Sequence, residues 1–205
     1  MPSQSDIKKV IDLFKQQKPN VPLEAFTSPY DVLISTVMSA RTNDDTTLPA
    51  AKRLLTKAPN PYKLFELSEE KVASLIYPVG FYKTKAKNLK KLAEQLITDF
   101  NGNVPNKKEE LVALAGVGTK TANLVLNRAF GKPAISVDTH VHHISNLLGW
   151  VNTKKPEDTE KELVKIIPTR YWKDVNSLFV SLGRNMKTRK RLEQFLAENG
   201  LIKKL

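Results

Sequence analysis

The step Gly116-Val117-Gly118 constrains the fold of this chain more than any other feature of its sequence. Glycine reaches positive φ without steric cost and allows another backbone to come close, so the step suits a tight turn. Apolar residues lie at helical spacing before it, over residues 108–114, and after it, over residues 119–130. The sequence predicts two short helices joined by a tight turn, although an ordinary corner between helices would explain the two glycines equally well.

The rest of the chain also has a helical pattern. Apolar residues recur at helical spacing almost throughout, whereas sustained period-two alternation bounded by hairpin turns is absent, so we predict an all-α protein. A central buried helix is expected from Ser28-Pro29 to about Arg41, because serine suits the cap and proline the first turn. The predicted helices cover residues 5–17, 28–41, 46–57, 61–66, 68–76, 83–100, 108–114, 119–130, 139–148, 157–167, 171–182 and 189–198.

The 205 residues carry a formal net charge of +12. Lysine and arginine facing phosphates release condensed counterions, so the charge predicts a polyanionic partner, with a solvated basic surface as the alternative. The absence of cysteine excludes disulfides, thiolate nucleophiles and Cys-ligated zinc or iron–sulfur clusters. No apolar run approaches the roughly 18 residues of a membrane span, and no signal-peptide pattern is present. We therefore expect a cytoplasmic protein without membrane contact.

The start of the helix after the glycine step is a candidate phosphate site. Backbone N–H groups near Gly118 and Thr119, together with the positive end of the helix dipole, suit an anion. The apolar residues that follow fall at i, i+3, i+4, i+7 and i+8, so one face is predicted to be buried and the other can carry chemistry. These residues are Ala122, Val125, Leu126, Ala129 and Phe130.

A longer string extends this motif. Residues 116–122 read Gly-Val-Gly-Thr-Lys-Thr-Ala, and residues 137–140 read Val-Asp-Thr-His. This string resembles the endonuclease III family of helix-hairpin-helix DNA glycosylases, and the resemblance runs through nearly the whole chain. Further matching blocks lie at residues 39–40, 79–82, 101–105 and 182–184. The resemblance implies a base excision repair enzyme, a DNA glycosylase with AP lyase activity, whose partner is double-stranded DNA containing a damaged base or an abasic site.

The resemblance assigns catalysis to Lys120 and Asp138. The lysine would attack the sugar C1′, expel the base and form a Schiff base that undergoes β-elimination. An amine attacks only when it is neutral, and the positive end of the helix dipole disfavours its protonation. The carboxylate would stabilise the positive charge developing on the sugar. Asp138 also precedes a predicted helix and is a plausible N-cap, and both roles can hold together.

Further residues are expected to contact DNA. A glycosylase must extrude its target nucleotide, and two positions match the family's gap-filling residues, Arg41 for the orphaned base and Phe81 as a wedge. The alternatives are a surface salt bridge for Arg41 and a half-buried core ring for Phe81. His140 either contacts a phosphate or packs within its helix. The remaining expected DNA contacts are Gly116, Val117, Gly118, Thr119 and Arg184, and the residues expected near the base pocket are Ser39, Asp44 and Asp45.

The resemblance also implies an architecture. Residues 22–132 would form a six-helix domain with the hairpin at about 108–130, and residues 1–21 with 133–205 a second, discontinuous helical domain. The catalytic cleft would lie between the domains of a monomer. Many family members hold a [4Fe–4S] cluster with four cysteines after the Gly-Arg that matches Gly183-Arg184. Here a basic segment and an amphipathic terminal helix follow instead, so we expect no cluster and no cofactor.

The sequence is compatible with three functional hypotheses. The leading one is a bifunctional glycosylase and AP lyase for oxidised pyrimidines, with no metal in the chemistry but with room for a monovalent cation at the carbonyls of Leu114 and Val117. A second keeps the fold but uses water as the nucleophile on mismatched thymine or uracil, or on alkylated bases. The third is a non-catalytic helix-hairpin-helix protein that binds DNA. The presence of Lys120 argues against the second hypothesis, and its pairing with Asp138 against the third.

Affinity for undamaged DNA should fall steeply as salt rises, because each neutralised phosphate releases counterions. The measurement is fluorescence anisotropy of a labelled undamaged duplex over a series of salt concentrations. A flat response would contradict binding dominated by phosphate contacts.

Overall fold

The computed structural model describes residues 2–203, and within them all regular structure is helical, as the sequence predicts. Two short 3-10 helices, Pro22–Ala25 and Thr169–Tyr171, accompany the α-helices. No helix in this part of the chain is long and apolar enough to cross a membrane. The α-helices are α1 (Gln4–Gln16), α2 (Pro29–Ser39), α3 (Asp44–Lys57), α4 (Pro61–Glu66), α5 (Glu69–Ile76), α6 (Tyr82–Phe100), α7 (Lys108–Val112), α8 (Thr119–Phe130), α9 (Thr139–Leu147), α10 (Pro156–Ile166), α11 (Trp172–Met186) and α12 (Arg189–Glu198).

The helices form two compact units. Pro22–Lys132 is the hairpin unit, with α2 to α8, and residues 2–21 with 133–203 are the terminal unit, with α1 and α9 to α12. The hairpin unit thus has seven α-helices, one more than the six that the family architecture implies but the same number that the helical pattern predicts over these residues.

Helix α2 is the centre of the hairpin unit. It packs against α3, α6 and α8, and every side chain from residue 32 to residue 38 is buried. Its start agrees with the sequence, since the Ser28 side chain accepts a hydrogen bond from the Asp31 N–H and Pro29 lies in the first turn. The helix ends at Ser39, two residues earlier than predicted, because Arg41 adopts a φ of +55° that no right-handed helix allows.

Capping residues explain where other helices begin. Helix α3 begins at Asp44, two residues before its predicted start, because the Asn43 side chain accepts from the Thr46 N–H at 2.7 Å. Helix α11 runs to Met186, four residues beyond its predicted end, and stops where Lys187 takes a φ of +58°.

The terminal unit has its own apolar core. The rings of Phe14 and Phe179 meet edge to face with centroids 5.1 Å apart, and Trp150 lies 5.8 Å from Phe179. Leu192 and Leu196 of α12 are buried in the same core. The C-terminal helix is therefore amphipathic, as predicted, and contributes to the packing of this unit.

Two valines on helices of the terminal unit allow a matched test of this core. Val175 is fully buried in α11, whereas Val164 of α10 is 40% exposed. Val175→Ala should lower the free energy of unfolding by about 2 kcal/mol, because two buried methyl groups are lost and a cavity remains. Val164→Ala should change it by less than about 0.5 kcal/mol. The measurement is urea unfolding followed by circular dichroism, and equal losses would contradict the assignment of the core.

Candidate active site

The turn between α7 and α8 requires only one of its two glycines. Gly116 has a φ of +79°, and a Cβ atom there would lie 3.3 Å from the side chain of Asn88. Gly118 has a φ of −99°, and a Cβ atom there would have no neighbour within 4 Å. The backbone conformation therefore explains Gly116, whereas Gly118 leaves open space beside the start of α8.

A side chain from α6 holds this turn. Gln95 accepts a hydrogen bond from the Ala115 N–H at 2.8 Å and donates one to the Ala113 carbonyl at 3.2 Å. Inside the turn, the Val117 N–H donates to the Leu114 carbonyl at 3.1 Å. The turn is thus tied to the long helix beneath it and does not depend on its own backbone alone.

Helix α8 begins at Thr119 with Gly118 as its N-cap. Gly118 has no side chain that could accept from the first amides of the helix, and Thr119 and Lys120 are both exposed. Of the face predicted to be buried, Ala122, Val125 and Leu126 are buried, whereas Ala129 and Phe130 at the end of the helix are only half-buried. The positive end of an exposed helix suits an anion, so phosphate binding here stays a supported prediction.

Asp138 is the N-cap of α9. Its Oδ1 accepts from the Val141 N–H at 2.9 Å, which confirms the predicted cap and fixes the orientation of the half-buried carboxylate. The preceding segment is anchored from α11, where the Asn176 side chain donates to the Ser136 carbonyl at 3.1 Å. Lys120 lies in the hairpin unit and Asp138 in the terminal unit, and their catalytic roles stay predictions.

His140 packs closely against α11. A Cβ atom at Gly183 would lie only 2.2 Å from the Nδ1 atom of His140, so glycine at this position leaves the space that the imidazole ring occupies. This contact favours the packing interpretation of His140. Arg184 follows Gly183 and is half-buried.

The two predicted gap-filling residues share an unusual conformation in the hairpin unit. Arg41 and Phe81 both take left-handed backbone angles, with φ of +55° and +57°. Phe81 is 63% exposed, so the alternative of a half-buried core ring is wrong. The Arg41 guanidinium carbon lies 5.9 Å from the centroid of the Phe81 ring, within the range of a cation–π contact.

The expected base-pocket residues have local roles of their own. The Ser39 hydroxyl donates to the Thr36 carbonyl at 3.0 Å within α2. Asp44 and Asp45 lie in the first turn of α3, where acidic groups complement the helix dipole. Their contact with a base stays a prediction, as does a cation at the Leu114 and Val117 carbonyls.

One buried side chain escaped the sequence-based expectations. Lys85 of α6 has only 7% of its surface exposed, and its ammonium group contacts the end of α2. A signal was present, because Lys85 precedes Leu89 by four residues and therefore lies on the apolar face of the helix. The charge of a lysine alone favours the solvent-exposed side of a helix, and the position of Lys85 on the apolar face outweighs it here.

Three comparisons with known proteins agree on a family. A model of the HhH-GPD superfamily of base excision DNA repair proteins matches residues 34–169. Endonuclease III of Thermotoga maritima is 45% identical over 160 residues, which are 78% of this chain and 75% of the relative. Endonuclease III of Escherichia coli K12 is 35% identical over 177 residues, 86% of this chain and 84% of the relative.

A solved structure extends this likeness to three dimensions. A trapped endonuclease III–DNA covalent intermediate superimposes with a TM-score of 0.84 at 34% sequence identity. The match covers 93% of this chain and 90% of that one.

Gly116→Ala should lower the free energy of unfolding by about 1–2 kcal/mol, the cost of a left-handed backbone at a residue with a Cβ atom. Gly118→Ala is the matched control and should be neutral or slightly stabilising, because its φ is ordinary and the space is open. Chemical denaturation of both variants is the measurement. A larger loss for the Gly118 variant would contradict this account of the turn.

Proposed function

The chain belongs to the endonuclease III branch of the HhH-GPD superfamily, and we propose on this basis that it removes oxidised pyrimidines from duplex DNA through a Schiff base on Lys120. Proteins of this branch are DNA glycosylases with AP lyase activity, so this chain is a base excision repair enzyme and DNA is its partner. A non-catalytic DNA-binding protein is thereby ruled out.

The observation that carries the proposal is the position of Lys120. It is an exposed lysine in the first turn of α8, directly after the turn that Gly116 and Gln95 define. The related endonuclease III was trapped as a covalent intermediate with DNA, and covalent capture needs a nucleophile in the protein. A water-activating glycosylase would leave an amine at this position without a reason.

The chemistry follows from the two side chains. The neutral amine of Lys120 attacks C1′ of the sugar, and the base leaves with the electrons of the glycosidic bond. The attacking nitrogen then loses a proton and the C1′–O4′ bond opens, with a proton passing to O4′, which gives the Schiff base. The Schiff base acidifies the C2′ proton, so β-elimination breaks the bond to the 3′ phosphate, and hydrolysis releases the lysine. Asp138 has a fixed carboxylate, which suits it to stabilise the positive charge that develops on the sugar.

DNA binding would be shared among several groups. The amides around Gly118 and Thr119 would bind a phosphate at the positive end of α8. Arg41 and Phe81 would enter the stack once the target nucleotide has left it. The net charge of +12 would add attraction that does not depend on sequence.

The proposed enzyme needs no iron–sulfur cluster and no metal for its chemistry. The chain has no cysteine to hold a cluster, and helix α12 completes the core of the terminal unit through Leu192 and Leu196. We expect the enzyme to act as a monomer and to associate with the DNA of the cell.

Borohydride trapping tests the nucleophile. Wild-type protein incubated with a duplex containing thymine glycol or an abasic site, and then reduced, should form a covalent protein–DNA adduct visible on a denaturing gel. Lys120→Gln should abolish the adduct, whereas Lys87→Gln, an exposed lysine of α6, should leave it unchanged. If the wild type forms no adduct with the abasic duplex, the lyase assignment is wrong.

Replacing Asp138 with asparagine separates its role as a helix cap from its proposed catalytic role. Asparagine also caps helices well, so Asp138→Asn should keep the fold while removing the negative charge. We expect the rate of base release to fall by roughly 100-fold or more in single-turnover kinetics, the scale of removing one electrostatic group from an active site. Base release at the wild-type rate would exclude a catalytic role.

A further inference from the structure

Lys85 is the only charged side chain among residues 2–203 that is buried. Burial lowers its pKa to about 8, so most of the population still carries the ammonium group at pH 7. A buried charge is costly unless hydrogen bonds satisfy it, and an isolated structural lysine would normally extend to solvent. The proposed chemistry does not explain why the ammonium group of Lys85 is buried, and its hydrogen-bond partners give the reason.

The ammonium group has three oxygen acceptors, one for each of its N–H groups. Nζ donates to the Met38 carbonyl at 2.7 Å, to the Ala40 carbonyl at 2.6 Å and to the Thr42 hydroxyl at 3.1 Å. The carbonyls belong to the end of α2, where backbone acceptors have no partner in the helix. Lys85 thus caps α2 from a helix more than forty residues away in the sequence.

The same residue also holds the loop in front of α6. Its backbone N–H donates to the Phe81 carbonyl at 2.9 Å. The Thr42 hydroxyl that accepts from Nζ also accepts from the Gly80 N–H at 3.1 Å. A Cβ atom at Gly80 would lie 3.0 Å from that hydroxyl and 3.2 Å from the Arg41 carbonyl, so the two loops are in direct contact.

These two loops carry the residues proposed to enter the DNA stack. Arg41 and Phe81 both hold left-handed backbone conformations, which persist only when the surrounding contacts over-determine them. Both residues are sequence neighbours of groups that take part in the hydrogen bonds around Lys85. Arg41 lies between Ala40 and Thr42, and Phe81 follows Gly80. Lys85 supplies such contacts to both loops, through its side chain to residues 40 and 42 and through its backbone N–H to Phe81.

We propose that Lys85 is a positioning residue that locks the loops of residues 40–42 and 80–81 together, so that Arg41 and Phe81 enter the duplex as one preformed unit. This inference rests on the proposed function, because it assumes that Arg41 and Phe81 fill the gap left by the extruded nucleotide. The substrate class it concerns is duplex DNA, where a base must be taken out of a stack. A single-stranded abasic site needs no such step.

Lys85→Met tests the proposal, because it keeps an unbranched apolar side chain as far as the ε position and removes the ammonium group. We expect base release from a thymine glycol duplex to slow by about 10- to 100-fold in single-turnover kinetics, the scale of a small displacement of positioned groups. Strand cleavage at a single-stranded abasic site should change less than about threefold, a split that a purely structural residue would not produce. Leu64→Ala, a buried residue of α4, is the control for general destabilisation and should affect both substrates alike.

A double-mutant cycle identifies the route of the effect. In an Arg41→Ala/Phe81→Ala background, adding Lys85→Met should slow duplex base release no further, because the groups it positions are gone. Thr42→Val replaces the shared hydroxyl with a methyl group and keeps Lys85, so it should produce a smaller loss on the same substrate. It is the second variant to measure where Lys85→Met folds poorly. A full additional loss in the background, or equal losses on both substrates, would overturn the proposal.

Failure of the proposed function gives a different result. If wild-type protein forms no borohydride adduct, the lyase function is wrong and the positioning role falls with it. If the adduct forms but the Arg41→Ala/Phe81→Ala variant releases bases from duplex DNA at the wild-type rate, the gap-filling role is wrong. When the adduct forms and the Arg41→Ala/Phe81→Ala variant is slow on duplex DNA, an additive effect of Lys85→Met shows that Lys85 does not act through these two residues.

Discussion

Gly116 takes a φ of +79° at a place where a Cβ atom would press on Asn88, and the helix-hairpin-helix element exists because this one turn can close. Gln95 then ties the turn to α6 through two hydrogen bonds, so the direction of α8 is set by the core of the hairpin unit. Lys120 follows four residues after the glycine. Its place in the first turn of α8 is therefore a consequence of backbone geometry, and a residue on a rigid helix retains its position better than one on a loop.

The candidate catalytic groups illustrate how a structural role can prepare a chemical one. The hydrogen bond from the Val141 amide to Asp138 stabilises α9 and also holds the carboxylate in a fixed orientation. The Asn176 contact to the Ser136 carbonyl fixes the segment that leads to it. A group that is already held by the fold needs no reorganisation when charge develops on a substrate, which is the basis of electrostatic preorganisation.

Much of the fold and part of the candidate site could be predicted from the sequence. Twelve predicted helices match twelve α-helices within residues 2–203, because helical periodicity and capping residues act over a few neighbours. The Asp138 cap was predicted for the same reason. The end of α2 and the burial of Lys85 were not, because they depend on contacts between α2 and α6 that no local pattern encodes. The exposure of Phe81 also had to be seen in three dimensions.

The sequence by itself determined the all-α class and predicted the hairpin turn, because glycine conformation and helical spacing are local properties of the chain. Its resemblance to the endonuclease III family singled out Lys120 and Asp138 as the predicted catalytic pair. Only the tertiary structure decided that Gly116 and not Gly118 is required by the turn. It also decided that Lys85 joins the loops of Arg41 and Phe81. The physical reason is that burial and hydrogen bonding between distant segments arise only when the helices pack.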